Sequence, residues 1–158
     1  MKPKIPYASA SNGANALNDL QKTLAKFGCS SFGSMTDVDR GVTIVQFKWR
    51  SRTVSLEASW KGYAQAWLKS GGYTPGKDRA RDEKALAQAK TSVCSALRDW
   101  VKGQITAVEC GVMSFEAAFM PHMLLPSGER VLDRVQSDKL LGPPADDGKV
   151  VEFGGVRQ

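Results

Sequence analysis

The pattern of apolar and polar positions predicts one helix and then three strands in residues 1–60. Between Asn15 and Phe27 apolar side chains recur every three or four residues, and Gly28 stands where a helix C-cap belongs. Strand-like runs follow, separated by a turn at Asp37–Gly41 and a polar break at Arg50–Arg52. Such short connections predict a three-stranded antiparallel meander with the helix on its buried face.

The next part of the chain is predicted to be a loop and then one long helix. Residues 61–76 mix aromatics with glycines and a proline, which predicts a loop containing one helical turn at Tyr63–Lys69. Lys77–Cys110 lacks proline and carries an apolar stripe, which predicts a helix of roughly 45 to 50 Å. The stripe consists of Leu86, Ala89, Val93, Leu97, Trp100, Val101, Ile105 and Val108.

A short helical element is predicted to end the folded part. Ser114 is a suitable N-cap for a short helix, a turn is expected at Pro126–Gly128, and a further helical turn or two at Val131–Val135. The fold class is therefore α+β, with one domain at residues 12–135. Residues 136–158 are rich in proline and glycine and are predicted to be a flexible tail.

Composition agrees with one globular domain and argues against a disordered, membrane-spanning or secreted protein. The chain has 158 residues, of which 42% are hydrophobic and 24% charged, which is typical of a folded domain. No apolar run approaches the length of a membrane span, and no signal peptide follows the N-terminal lysines. We therefore expect an intracellular protein without a membrane partner.

Charge is distributed unevenly along the chain. Lys and Arg outnumber Asp and Glu by eight to four in residues 1–60 and by nine to five in residues 61–109. In residues 110–158 the balance reverses, five against seven, and the whole chain carries +6. A basic front part is typical of proteins that bind polyanions, although a charge of this size could also serve solubility alone.

Basic and aromatic residues alternate in two neighbouring stretches, KWRSR and WKGYAQAWLK. Single-stranded nucleic acids bind where bases stack on aromatic rings and cations hold the phosphates. The candidate nucleic-acid-binding residues are Lys48, Arg50, Arg52, Lys61, Tyr63, Trp67 and Lys69. The structural alternative is that Trp49 and Trp60 point into the core and that Arg50 and Arg52 form a solvated turn.

Motifs for catalysis or cofactor binding are missing from the sequence, so we predict no catalytic residue, no cofactor and no metal. The single histidine, His122, is expected to be a hydrogen-bonded residue of the short apolar helix. The three cysteines, Cys29, Cys94 and Cys110, have no metal-ligand spacing and are expected to be reduced and structural. A metal-dependent nuclease that uses Asp37, Asp39 and Glu57 stays open as a minor alternative.

The C-terminal part of the predicted domain follows a pattern found in other proteins. A long helix ends at Gly111, Ser114–Glu116 begins the next helix, a phenylalanine precedes His122, and Leu125–Gly128 forms a Leu-Pro-Ser-Gly turn. Upstream, the first helix ends in Lys-Phe-Gly at residues 26–28. These features resemble an uncharacterised family of small phage and prophage proteins, often encoded near replication and recombination functions.

The similarity spans about residues 12–135. It departs from the family pattern at Ser127, where Asp is commoner, and in the proline- and glycine-rich tail. The resemblance implies a phage origin, the cytoplasm of a bacterial host and a link to DNA metabolism. It supplies no catalytic residue.

Taken together, these observations predict a non-catalytic phage protein that binds DNA, with single-stranded DNA favoured, in replication or recombination. The alternative is a protein-interaction module that inhibits a host enzyme or a defence complex. We also predict a homo-oligomer that uses the N-terminal half of the long helix, because its apolar stripe is wider than three strands can cover.

Overall fold

The computed structural model describes residues 2–143, which form one three-stranded sheet and five α-helices. The elements in chain order are α1 Gly13–Phe27, β1 Ser31–Asp37, β2 Val42–Trp49, β3 Arg52–Ser59, α2 Trp60–Ser70, α3 Arg79–Glu109, α4 Phe115–Phe119, a 3₁₀ turn at Met120–His122, and α5 Val131–Ser137. The α+β prediction, with its N-terminal helix, meander and one long helix, is confirmed. Residues 144–158, most of the predicted tail, lie outside the described part.

The sheet is an antiparallel meander in the order β1-β2-β3. Phe47 of β2 lies opposite Phe32 of β1 and Val54 of β3, so these apolar side chains share one face. That face packs on α1, α3 and α4, and its centre is the fully buried pair Phe47 and Phe119, whose rings meet edge to face at 5.4 Å. The alternation of residues along β2 and β3 therefore fixes which side is core.

Residues 60–70 correct the sequence prediction, because they form a regular helix, α2, and not a loop. Ser59 caps this helix by accepting a hydrogen bond from the Gly62 N–H at 3.1 Å. Its buried residues, Trp60, Ala64, Trp67 and Leu68, have helical spacing and pack on the N-terminal half of α3. Tertiary packing of this stripe outweighs the helix-weakening effect of Gly62.

The long helix α3 joins two separate apolar clusters. Its small residues Ala85 and Ala89 pack on α2, and Val101 and Ile105 pack on α1 and the sheet. Asp78 caps its N-terminus by accepting from the Arg81 N–H. Most of the predicted stripe is buried or half-buried, but Leu86 and Trp100 are 38% and 39% exposed.

The polypeptide before α1 packs against α2 and α3. The Tyr7 hydroxyl donates to Asp99 at 2.8 Å, and the Ser92 hydroxyl donates to the Tyr7 carbonyl at 2.8 Å. On the far side of the domain, Ser114 caps α4 as predicted, and Leu124 donates its N–H to the Thr53 carbonyl at the outer edge of β3. Among residues 2–143, no helix has the length and apolar character needed to cross a membrane.

Candidate nucleic-acid interface

The turn between β2 and β3 carries the cations of the first predicted stretch. Trp49 pairs with Arg52, which leaves Arg50 and Ser51 as the two loop residues. Lys48, Arg50 and Arg52 are all exposed, and Trp49 is half-buried. We refer to Lys48, Trp49, Arg50 and Arg52 as the hairpin tip.

Aromatic packing holds the hairpin tip in place. The Trp49 ring lies 4.4 Å from the Phe115 ring and 5.5 Å from the Phe27 ring, centroid to centroid. These contacts connect the tip to the N-terminus of α4 and the C-terminus of α1. The core therefore fixes the Trp49 side chain, although the two residues of the turn are exposed to solvent.

Arg50 has an unusual backbone conformation. Its φ is 53°, in the left-handed region where glycine is the usual residue of a two-residue hairpin loop. The Arg50 guanidinium carbon lies 4.3 Å from the centroid of the Trp49 ring, within cation–π range. The conformation thus places a planar cation directly over the half-buried indole.

The three cations of the hairpin tip have no acidic partner in the part of the chain that the structure describes. Other arginines are neutralised: Arg40 binds Glu57 at 2.6 Å, and Arg134 binds Asp138 at 2.8 Å. Unpaired cations close to an anchored aromatic ring are the residue types that single-stranded nucleic acids bind.

The other predicted binding residues lie at the opposite end of the sheet. Ser59, which precedes α2, pairs with Val42, seven residues along β2 from Trp49, and this corresponds to roughly 23 Å. Lys61 and Lys69 are exposed there. The two basic and aromatic stretches, which are neighbours in the sequence, therefore do not form one site.

The aromatic residues of α2 serve the fold. Trp67 is 8% exposed and donates its indole N–H to the Ala8 carbonyl at 3.3 Å. The half-buried Tyr63 donates its hydroxyl to the Pro6 carbonyl at 2.6 Å, and burial raises its pKa. Trp67 is therefore part of the buried cluster between α2 and α3, and its assignment to the interface stays a prediction.

Two of the three carboxylates of the nuclease alternative, Asp37 and Glu57, are engaged by arginines. Asp37 accepts from the Arg40 N–H at 3.0 Å, and Glu57 binds the Arg40 guanidinium as well as that of Arg130 at 3.6 Å. Within residues 2–143, no group of three or more His, Cys, Asp or Glu side chains is placed to hold a metal ion. This geometry gives Asp37 and Glu57 an arginine partner.

His122 differs from its prediction. Its Nδ1 atom is buried and has no hydrogen-bond partner, and its ring meets the Trp100 ring edge to face at 5.5 Å. Burial, helped by the positive charge of Arg130, lowers the pKa of His122. The imidazole is therefore neutral at pH 7.

The three cysteines are free thiols. Burial raises the pKa of Cys29 to about 11 and also raises that of Cys94, which makes both poor nucleophiles. Cys110 is exposed at the end of α3.

Sequence reasoning missed a groove beside β3. It has a volume of about 580 Å³, and its lining is mostly apolar: Ala58, Val93, Ala96, Leu97 and Trp100, with Tyr7 and Asp99 at the polar end. Arg98, and then Tyr7, hold the pKa of Asp99 below its usual value. The sequence signal for the groove was Trp100, a large apolar residue in the predicted stripe that the sheet could not cover.

The fold and the hairpin tip define an α+β protein with a basic, aromatic surface at one end of a three-stranded meander. No protein-family model, curated protein or solved structure matches the chain.

Proposed function

We propose that the protein binds single-stranded nucleic acid, with DNA favoured, through its hairpin tip and without catalysing a reaction. The observation that supports this proposal is the set of three exposed, unpaired cations at the turn that the half-buried Trp49 anchors, with Arg50 over its ring. Arg52 and Lys48, which project on opposite faces of the hairpin, would each contact a phosphate, because Lys and Arg displace the counterions condensed on the strand. The Arg50–Trp49 pair would provide a flat surface for a base.

Backbone strain adds support for a role of Arg50. A side chain in the left-handed region costs roughly 1 kcal/mol that glycine would avoid. The strain of an arginine at φ 53° therefore supports a use for its guanidinium. The cation–π contact with Trp49 repays part of the cost and keeps the guanidinium over the ring.

The biological setting follows from the sequence resemblance. We infer a phage protein that acts on DNA during replication or recombination in the cytoplasm of a bacterial host. It would work by holding single strands, since the hairpin tip offers cations and a ring but no group suited to bond cleavage.

Fluorescence anisotropy with labelled oligonucleotides at two salt concentrations tests the proposal. The double variant Arg50→Ala/Arg52→Ala should flatten the slope of log affinity against log salt by about 1.4 to 1.8. At 0.1 M salt this corresponds to a roughly 25- to 60-fold loss of affinity.

Lys61→Ala/Lys69→Ala is the matched control, since it removes the same charge from exposed positions at the other end of the sheet. It should change the slope much less. No binding by the wild type at 50 mM salt, or equal losses in the two double variants, would refute the hairpin tip as the site.

The apolar groove favours a second candidate function, a protein-interaction module that inhibits a host enzyme or defence complex. Its lining by Val93, Ala96 and Trp100 suits the apolar side chains of a protein segment. Ala96→Glu would place a charge in the groove without enlarging it. A single host protein that is retained stoichiometrically after nuclease treatment by the wild type, but not by Ala96→Glu, would favour this function. Nuclease-sensitive recovery of many DNA-associated proteins would favour nucleic-acid binding.

A further inference from the structure

The two edges of the sheet differ in how they are protected. At the β3 edge, Met123 pairs with Val54, and the Leu124 N–H reaches the Thr53 carbonyl at 2.9 Å. Further along this strand the charged Glu57 binds two arginines. Charges and covering segments of this kind are how proteins prevent unwanted strand pairing.

Among the described residues no segment pairs with the β1 edge, and its one charged residue is Asp37 at the end of the strand. Because Trp49 and Arg52 close the two-residue hairpin, the odd-numbered residues of β2 hydrogen-bond to β3 and the even-numbered ones to β1. The register then directs the peptide groups of three β1 residues away from the sheet: Phe32, Ser34 and Thr36. In the described chain, 2–143, none of these peptide groups has a hydrogen-bond partner. No charged side chain or proline occurs between Ser31 and Thr36.

We propose that the β1 edge binds a second copy of this chain, antiparallel about a twofold axis at Ser34, to form a continuous six-stranded sheet. In this register Ser34 lies opposite the partner's Ser34, and Phe32 lies opposite the partner's Thr36. All three outward-facing residues then meet outward-facing residues, so their N–H and C=O groups can form six hydrogen bonds. A register shifted by one residue would lose this match.

Side chains on the outer face favour the same register. Met35 is 59% exposed, and a side chain at Gly33 would find no atom within 4 Å. Gly33 lies opposite the partner's Met35 in the proposed pairing. Gly33, Met35 and Ile44 line a shallow pocket of about 170 Å³, which the partner's Met35 would fill. Asp37 lies opposite Ser31, so no like charges face each other.

This interface differs from the one that the sequence predicted. In the N-terminal half of α3, Leu86 is the one large apolar side chain that is clearly exposed, and Arg79 and Glu83 beside it form an ion pair at 2.9 Å. The β1 edge contributes seven residues per copy, fewer than the 20 to 30 or so of a standard interface. The dimer should therefore depend on concentration in the micromolar range.

Disulfide trapping tests the register in the full-length chain with Cys110→Ser, which removes the exposed native thiol. Ser34 faces its own equivalent across the axis at a Cα separation of about 5.5 Å, within the range of a disulfide bond. Thr36 is the matched control, because it is exposed on the same face but lies about 13 Å from the partner's Thr36. Under mild oxidation Ser34→Cys should form a covalent dimer, and Thr36→Cys at most about one-tenth as much.

Sedimentation velocity from 1 to 100 μM gives an independent test. Ser34→Pro removes an N–H that the monomer does not use, so the fold should persist while dimerisation is lost. Ser34→Ala keeps the N–H and should dimerise like the wild type. A strictly monomeric wild type at 100 μM, a dimeric Ser34→Pro, or equal trapping of Ser34→Cys and Thr36→Cys would overturn the proposal. If Ser34→Pro does not fold, the trapping pair decides the question.

Discussion

The hairpin tip and helix α2 have similar compositions, with Lys or Arg interleaved with aromatic residues, yet they have different environments. In α2 the rings of Trp60 and Trp67 are buried, and each donates its indole N–H to the protein: Trp60 to Thr43 at 2.8 Å and Trp67 to Ala8. At the tip, Trp49 keeps part of its surface in solvent, and a cation covers it. The same residue types therefore build a core in one place and a candidate binding surface in the other.

The difference depends on which helices and segments pack against each ring. The rings of α2 project at helical spacing onto α3, and the N-terminal segment closes over them. Trp49 ends its strand beyond the main packing layer, where α4 and α1 support its ring from one side. Local composition does not indicate whether a ring is buried or exposed, because burial depends on segments far away in sequence.

The largest expected effect tests the structural role of α2. Trp67→Ala should lower the free energy of unfolding by about 3 to 5 kcal/mol, because it leaves a cavity among Ala8, Ala85 and Ala89. Urea unfolding measures this loss. Trp67→Phe is the control, since it keeps most of the apolar volume and loses the bond to Ala8. Normal stability of Trp67→Ala together with weaker nucleic-acid binding would reverse the assignment of the two regions.

A second prediction concerns the ring at the hairpin tip. Trp49→Ala should weaken binding to single strands by about 1 to 3 kcal/mol, with little change in the salt slope, because stacking releases few counterions. Duplex affinity should fall much less. Anisotropy titrations are made below the melting temperature of the variant, since Trp49 also packs on Phe27 and Phe115. A salt slope that changes as much as in Arg50→Ala/Arg52→Ala would show that the ring acts only by positioning the cations.

The backbone strain at Arg50 makes a smaller prediction. Arg50→Gly should be more stable than Arg50→Ala by about 0.5 to 1 kcal/mol, because glycine adopts a φ of 53° without a side-chain clash. The two variants lose the same guanidinium, so the difference isolates the strain. Paired thermal melts measure it. Equal stabilities would mean that the turn relaxes and that the left-handed conformation of Arg50 stores no strain.

The smallest effect is a pH dependence that leaves both regions unchanged. The pKa of His122 is lowered in the folded protein, so below about pH 6.5 the unfolded chain binds the proton more readily. Stability should thus be unaffected above this pH and should fall as the pH drops below it. Urea unfolding at pH 7.5 and 5.5 measures the fall, which His122→Gln should reduce. Because His122 is the single histidine, hairpin-tip affinity should be the same at the two pH values for folded protein.

Much of the architecture could be predicted from local signals. Alternation in residues 42–59 and the short turns between strands indicated the meander, and Gly28 and Ser114 marked helix ends that the structure has at the same positions. These features depend on interactions within a few residues. Of the candidate site, the exposure of Lys48, Arg50 and Arg52 could be predicted from the sequence, whereas the burial of Trp67 could not, and binding by these residues stays a prediction.

The sequence by itself determined the strand order, the long helix and the exposure of the hairpin cations, because turn chemistry, periodicity and charge act locally. Tertiary structure decided three things: that residues 60–70 form a helix, that the two basic stretches lie at opposite ends of the sheet, and that Glu57 is paired with arginines. The helix and the ion pairs of Glu57 depend on contacts between residues 17 or more positions apart, such as Trp60 with Thr43 or Trp67 with Ala8. The free energy that decides them comes from burying side chains against residues that are distant in sequence. No local pattern identifies those partners.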